Sequence, residues 1–281
     1  MRYFLGLTLV SLSLLVSSCS PAPAAAPKNP QTQAIAGTAG IVDSYRTWVE
    51  AQTDQLVAKT KEFTAAVMAG DRATAQALYA PTRMFYENIE PIAEALGDLD
   101  SRIDAREGKA SAEQWRGFHK LEKLLWSTDN LRAGKTLAQG LLEDIHLLRA
   151  KVETAEISLS AMVTGAVELL NEVSTTKLTG EEERYSHTDL WDFQANVQGA
   201  FKIYELLRPA LEMLDLGLAE ILKERLAVLT GLLDSHKKGD GYQLYGELKP
   251  ADVKALSAAV DGVAEPLSQL GKLFPVEPVA Q

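Results

Sequence analysis

The residues best suited to chemistry lie in the stretch Gly117-Phe118-His119-Lys120-Leu121-Glu122-Lys123-Leu124-Leu125-Trp126. Its apolar spacing is that of an amphipathic helix. Residues three apart share a helix face, so His119 and Glu122 can point at one spot. A neutral imidazole nitrogen and a carboxylate are common ligands for zinc, iron or copper. Two ligands hold a metal poorly, so further oxygen ligands must come from elsewhere in the chain.

Several acids are candidates. Glu87 and Glu90 stand three apart in a helical pattern, where two like charges repel unless a cation or base sits between them. Asp98, Asp100 and Asp104 follow, without the glycine-centred twelve-residue loop of an EF-hand. A polar, loop-like segment then carries Glu181, Glu182 and Glu183. His187 lies beside these glutamates and Asp189, whereas His146 and His236 are isolated. There is no Gly-x-Ser-x-Gly, no His-Glu-x-x-His and no phosphate-cradling glycine loop. The pattern therefore points to metal binding rather than nucleophilic catalysis.

The elements that must position these residues are helical. Apolar residues make up 46% of the 281 and aromatics only 7%, with Ala and Leu abundant, a balance that favours helices. The first helical pattern runs from about residue 38 to Gly70-Asp71. A second begins near Arg72, is disturbed at Pro81 and resumes to Leu96. Ser111 and Gln114 read as a capping box opening the helix that carries His119. Residues 134–173 form one long pattern broken near 153–158. Ser186 or Thr188 caps a helix from Asp189 that Pro209 interrupts or bends. A helix over about 211–233, a turn at 239–241 and a final helix from Pro250 complete the chain. This predicts an all-α fold with seven or eight main helices, no strand, and two up-and-down bundles packed together with a junction near residue 130 or 175.

The net charge is -10. Phosphate binding needs a basic face, so nucleic acid is excluded as a partner. The single cysteine, Cys19, allows no internal disulfide. Residues 1–16 are a short basic start and an apolar run too short to span a bilayer comfortably. Val16-Ser17-Ser18-Cys19 resembles a bacterial lipobox. Residues 1–18 are thus expected to be a lipoprotein signal peptide, with lipid on Cys19 tethering the protein to a membrane surface. Ser20 in place of Asp favours the outer membrane. Residues 19–37, rich in Pro and Ala, are an extended spacer, and 38–275 form the folded domain.

Gly117-Phe118-His119-Lys120-Leu121-Glu122 resembles the Gly-x-His-x-x-Glu signature of the imelysin-like family. Residues 80–94, 98–104 and 180–196 are similar to that family's periplasmic iron-uptake branch, the EfeO and EfeM proteins, and the resemblance covers residues 40–272. It implies a pair of helical bundles with the His-x-x-Glu site between them. It also implies ferric or ferrous iron, with zinc or copper as alternatives, bound in the periplasm. A ferrous permease and a haem-containing peroxidase are the implied partners. Carried onto this chain, the metal set is His119, Glu122, Glu87, Glu90 and Asp104, with Glu182 and Asp189 added. EfeO proteins carry a cupredoxin domain for which residues 19–37 leave no room, so the shorter EfeM-like form fits. Binding and delivery are then expected rather than oxidation or other enzymatic activity. Two rival readings are a metallopeptidase of the same family and a carbohydrate-binding lipoprotein, its cleft lined by Trp48, Tyr86, Trp115, Trp126 and Trp191.

Overall fold

A computed structural model describes residues 38, 40–128 and 130–274. The expected signal peptide, Cys19 and the spacer lie outside these residues. Among those described, eight helices of ten residues or more account for most of the chain. They are α1 (Ile41–Ala69), α2 (Arg72–Glu87), α5 (Phe118–Ser127), α6 (Gly134–Val152), α7 (Leu159–Thr175), α8 (Asp189–Leu214), α9 (Leu216–Ser235) and α10 (Pro250–Ser268). Shorter helices are α3 (Ala93–Leu96), α4 (Asp98–Asp104) and α11 (Leu270–Leu273). Turns of 3-10 helix lie at Glu90–Ile92, Lys177–Thr179 and Tyr245–Glu247.

The expected all-α architecture is observed, but the bundles divide between α6 and α7, at residues 153–158, rather than near residue 130 or 175. In the first bundle α1 packs along α2 and α6, and α5 closes against α2 and α6. In the second, α10 packs on α7 and α9, and α8 packs on α7 and α9. The bundles meet where α2 crosses α8 and where the 90–92 turn sits on α7 and α8. One continuous apolar cluster, from Ile41 to Phe274, runs through both. Burial of a helical stripe drives each contact at roughly 25 cal/mol per Å² of apolar surface.

Three local expectations are corrected. Helices α2 and α8 run unbroken through Pro81 and Pro209. Tyr79, Ala80 and Arg83 flank the first proline and Leu207, Ala210 and Leu211 the second, all buried, and this packing holds each helix across the missing N–H. The 239–241 turn closes a small antiparallel hairpin, with β1 (Lys237–Lys238) and β2 (Gly241–Tyr242) pairing Lys237 with Tyr242. Finally, the helix bearing His119 begins at Phe118, not at Ser111. Ser111 does cap a turn, accepting from the Gln114 and Trp115 amides. That turn ends so that buried Trp115 can donate its indole N–H to the Ala105 carbonyl at 2.7 Å.

Gly117 then lets the chain turn into α5 with φ 91°. A Cβ at this position would lie 2.1 Å from the Ile103 carbonyl oxygen. The start of α5 is thereby pressed against the end of α4, which puts His119 beside Asp104. The glycine of the Gly-x-His-x-x-Glu signature is a requirement of backbone approach. Gly117→Ala combines a left-handed φ penalty of about 1–2 kcal/mol with about 1–3 kcal/mol of overpacking. We expect thermal unfolding to show a fall of roughly 5–15 °C in Tm. Gly231→Ala, in α9 with nothing within 4 Å of the new methyl, is expected to raise stability by about 0.5–1 kcal/mol.

Candidate metal centre

His119 and Glu122 lie one turn apart on the buried face of α5, 2% and 1% exposed. Oε1 of Glu122 accepts the backbone N–H groups of Tyr185 and Ser186 at 2.8 and 2.7 Å. This leaves Oε2 facing His119 Nδ1 at 3.6 Å. The opposite ring nitrogen, Nε2, stands 3.5 Å from Asp104 Oδ1 and 3.8 Å from Glu182 Oε1. Glu183 Oε1 is 3.8 Å from Nδ1. Neither nitrogen completes a hydrogen bond. The imidazole is therefore shared by two sets of potential ligands, His119 with Asp104 and Glu182, and His119 with Glu122 and Glu183.

The other expected residues take different places. Glu87 and Glu90 are bridged by the buried Lys177, whose ammonium lies 3.0 Å from Glu87 Oε2 and 2.7 Å from Glu90 Oε2. Asn196 Nδ2 donates to the same two carboxylates at 3.0 and 2.8 Å. The cation between Glu87 and Glu90 is thus a lysine of the chain itself. Asp189 joins neither set around His119; it accepts the Glu183 amide at 3.3 Å and so steadies the segment bearing Glu182 and Glu183.

Five participants had no place in the sequence-derived set: Arg83, Lys177, Glu183, Asp192 and Asn196. Arg83 is fully buried and ion-paired with Glu87, Asp104, Glu183 and Asp192, at 2.6 Å for Glu183 and 3.2 Å for Asp192. Two local signals pointed to some of them. Arg83 and Glu87 are four apart on α2, and Asp189, Asp192 and Asn196 repeat at three and four on α8, a polar stripe on an otherwise apolar helix. Nothing in the spacing marks Lys177.

Negative charge is in excess. Glu87, Glu122, Glu182, Glu183, Asp189 and Asp192 are fully buried, and Asp104 and Glu90 sit at the edge. Against them stand buried Arg83 and Lys177, with Arg106 reaching Glu182 at 2.7 Å and Glu172 at 3.0 Å. Burial and the nearby Arg83 oppose a charged imidazole, but Asp104 and Glu122 prevail and raise the His119 pKa to about 9. Against burial, Arg83 and His119 hold Asp104 below the usual carboxylate range. Burial and the neighbouring Glu122 push Glu183 well above it. Burial likewise raises Asp189 to about 7, although the Glu183 amide favours its charged form. Protons thus fill in for missing positive charge, and a metal cation could replace them.

A cleft of about 210 Å³ opens onto the Nε2 side, lined by Glu90, Asp100, Asp104, Arg106, Lys177 and Glu182 among others. Larger clefts of about 860 and 430 Å³ include none of the residues around His119. The five aromatic residues of the carbohydrate reading are dispersed. Tyr86 and Trp115 are buried, Trp48 stacks on Tyr45, Trp126 meets Tyr79 and Trp191 meets Tyr242. No ring contact among the described residues joins two of the five.

Residues 41–270 match the imelysin family, peptidase M75. The chain is 41% identical over 275 residues to an Efem/EfeO family lipoprotein of Staphylococcus haemolyticus, covering 93% of this chain and 96% of that one. It is 42% identical over 244 residues to the iron uptake system component EfeO of Escherichia coli K12, covering 85% of this chain but 65% of that protein. A crystal structure of an iron-regulated protein A precursor from Parabacteroides distasonis shares the fold, with a TM-score of 0.64 at 15% identity over 90% of this chain and 97% of that one.

Asp189 offers a test of the charge balance in metal-free protein. Its pKa, raised in the fold from 3.8 to about 7, corresponds to on the order of 4 kcal/mol. A raised folded-state pKa contributes stability at low pH that is lost as pH climbs from about 4 to about 7. Asp189→Asn is therefore expected to unfold at higher denaturant than the parent at pH 8, with the gap closing towards pH 4. A gap independent of pH would contradict the assignment.

Proposed function

The chain belongs to the imelysin family, in its EfeM/EfeO branch, and from that premise we infer that it is an iron-binding component of an extracytoplasmic iron uptake system. The observation that carries this reading is His119, buried with both ring nitrogens unpartnered where acidic groups from separate segments converge. Carboxylate oxygens with a single imidazole suit ferrous or ferric iron better than thiolate-rich or multi-histidine sites would; zinc and copper are the competitors to test.

In this reading the ion binds at Nε2 with Asp104 and Glu182, the side that meets the cleft. Glu122, pinned by two amides, holds the ring from Nδ1 and completes the set in the way carboxylates back metal-bound histidines elsewhere. Glu87 and Glu90 act through Lys177, and Asp189 through the Glu182–Glu183 segment. Lipid on Cys19 would hold the domain at a membrane facing the periplasm, the outer membrane by the Ser20 argument. The domain would pass iron to a membrane permease, with a haem peroxidase as a further component.

The family's peptidase description supplies the rival. A cleft of about 210 Å³ is small beside the roughly 300–1,000 Å³ of small-molecule sites. That favours an ion with a few waters over a peptide. Hydrolysis of casein that His119→Ala and Glu122→Ala abolish would reverse this conclusion.

Calorimetry on the domain should show ferrous iron binding under anaerobic conditions, weakened at least 100-fold by His119→Ala together with Glu122→Ala. Below the His119 pKa of about 9, the metal must displace a proton. Apparent affinity should therefore rise by up to about tenfold per pH unit between pH 5.5 and 7.5. Absence of iron binding by the parent protein would sink the proposal.

A further inference from the structure

The segment carrying Glu182 and Glu183 is clasped from outside by a part of the chain some sixty residues downstream. Tyr245, in the 3-10 turn after the β1–β2 hairpin, touches that segment at three points. Its backbone N–H donates to the His187 carbonyl at 2.8 Å. Its hydroxyl donates to the Leu178 carbonyl at 2.6 Å. Its ring lies against Gly180, where a Cβ would come within 2.6 Å of Cε1. The two carbonyls bracket Glu182 and Glu183 in sequence. The ring also meets Phe193 of α8 edge-on at 6.3 Å, and Tyr242 of the same hairpin does so with Trp191 at 5.7 Å.

The clasped segment is held in an unfavourable shape. His187 has φ 58°, among the described residues the one left-handed residue that is not glycine. Such a residue persists only where its surroundings over-determine it, and such strain gathers at functional sites. The surroundings here are two hydrogen bonds, from the His187 amide to the Glu183 carbonyl at 2.9 Å and from the Tyr245 amide to the His187 carbonyl.

We propose that Tyr245 is a positioning residue for the metal centre, clamping residues 178–187 so that Glu182 and Glu183 face His119 and setting how long a bound ion is retained. This rests on the iron-binding reading above. Among the described residues no hydrogen bond, ion pair or ring contact joins Tyr245 to His119, Asp104, Glu122, Glu182 or Glu183, so its effect passes through the backbone of the clasped segment.

The test compares the parent with Tyr245→Phe, which removes only the hydroxyl, and Tyr245→Ala. Tyr204→Phe serves as control, because the Tyr204 hydroxyl makes an equivalent bond to the Ala219 carbonyl at 2.9 Å within the second bundle. In metal-free protein, amide hydrogen exchange over residues 178–187 should quicken about fivefold in Tyr245→Phe and more in Tyr245→Ala, but not in the control. With cobalt(II) as a spectroscopic probe, the dissociation rate into excess chelator should rise about 5- to 10-fold in Tyr245→Phe, with a changed ligand-field spectrum. Adding His187→Asn, a residue that tolerates the left-handed region, should recover part of that loss. Unchanged exchange over 178–187 overturns the clamp. So does a change in cobalt release matched by Tyr204→Phe, which would reduce Tyr245 to a general stability role. Failure of the parent to bind cobalt or iron would refute the iron-binding reading, and with it the retention role, while the exchange data would still report on the clamp itself.

Discussion

The burial of Arg83 is the constraint on which the rest of the structure depends. Its guanidinium meets Glu87 from its own helix, Asp104 from the end of α4, Glu183 from the segment before α8 and Asp192 from α8. Removing a guanidinium from water costs several kcal/mol, recovered only when partners surround it with good geometry. Meeting that condition requires the first and second bundles to pack in one arrangement. Lys177 repeats the principle one layer away with Glu87 and Glu90. The seam between the bundles is therefore held by paired charge as well as by apolar contact. Losing either cation would leave buried carboxylates uncompensated.

The same arrangement leaves a deliberate shortfall. The acids outnumber the cations, and the balance is met by a raised His119, a raised Asp189 and a raised Glu183. A site that holds protons where it lacks positive charge could exchange them for a metal ion. Orientation is supplied from the backbone: two amides fix Glu122, one fixes Asp189 against Glu183, and Gly117 sets the distance between α4 and α5. The placement of these side chains thus comes from main-chain contacts, most of them between segments far apart in sequence.

Much of the fold was legible in the sequence. The 3.6-residue period of Ile41, Tyr45, Val49 and Leu56 marks α1, and the break near 153–158 separates α6 from α7 as the structure has it. What misled was local punctuation. Pro81 and Pro209 read as interruptions because a proline removes one hydrogen bond, but the buried residues on either side of each proline outweigh that loss. Ser111 read as a helix start because its cap geometry is real, yet it serves one turn only.

For the site, the sequence by itself determined which residues could share a helix face: His119 with Glu122, and Glu87 with Glu90. For the second pair it left two readings open, a solvated acidic face or a positive group between them, because like charges one turn apart repel by only a few tenths of a kcal/mol. Only the tertiary structure decided that this group is Lys177, that Arg83 is the hub, and that Asp104 and Glu182 are the acids nearest Nε2. The physical reason is range. Helical periodicity acts over three or four residues and is written in local spacing. Apart from Arg83 with Glu87, the hydrogen bonds of the buried Arg83 and Lys177 to carboxylates join residues 21 to 109 apart in the chain, and no local pattern encodes those contacts.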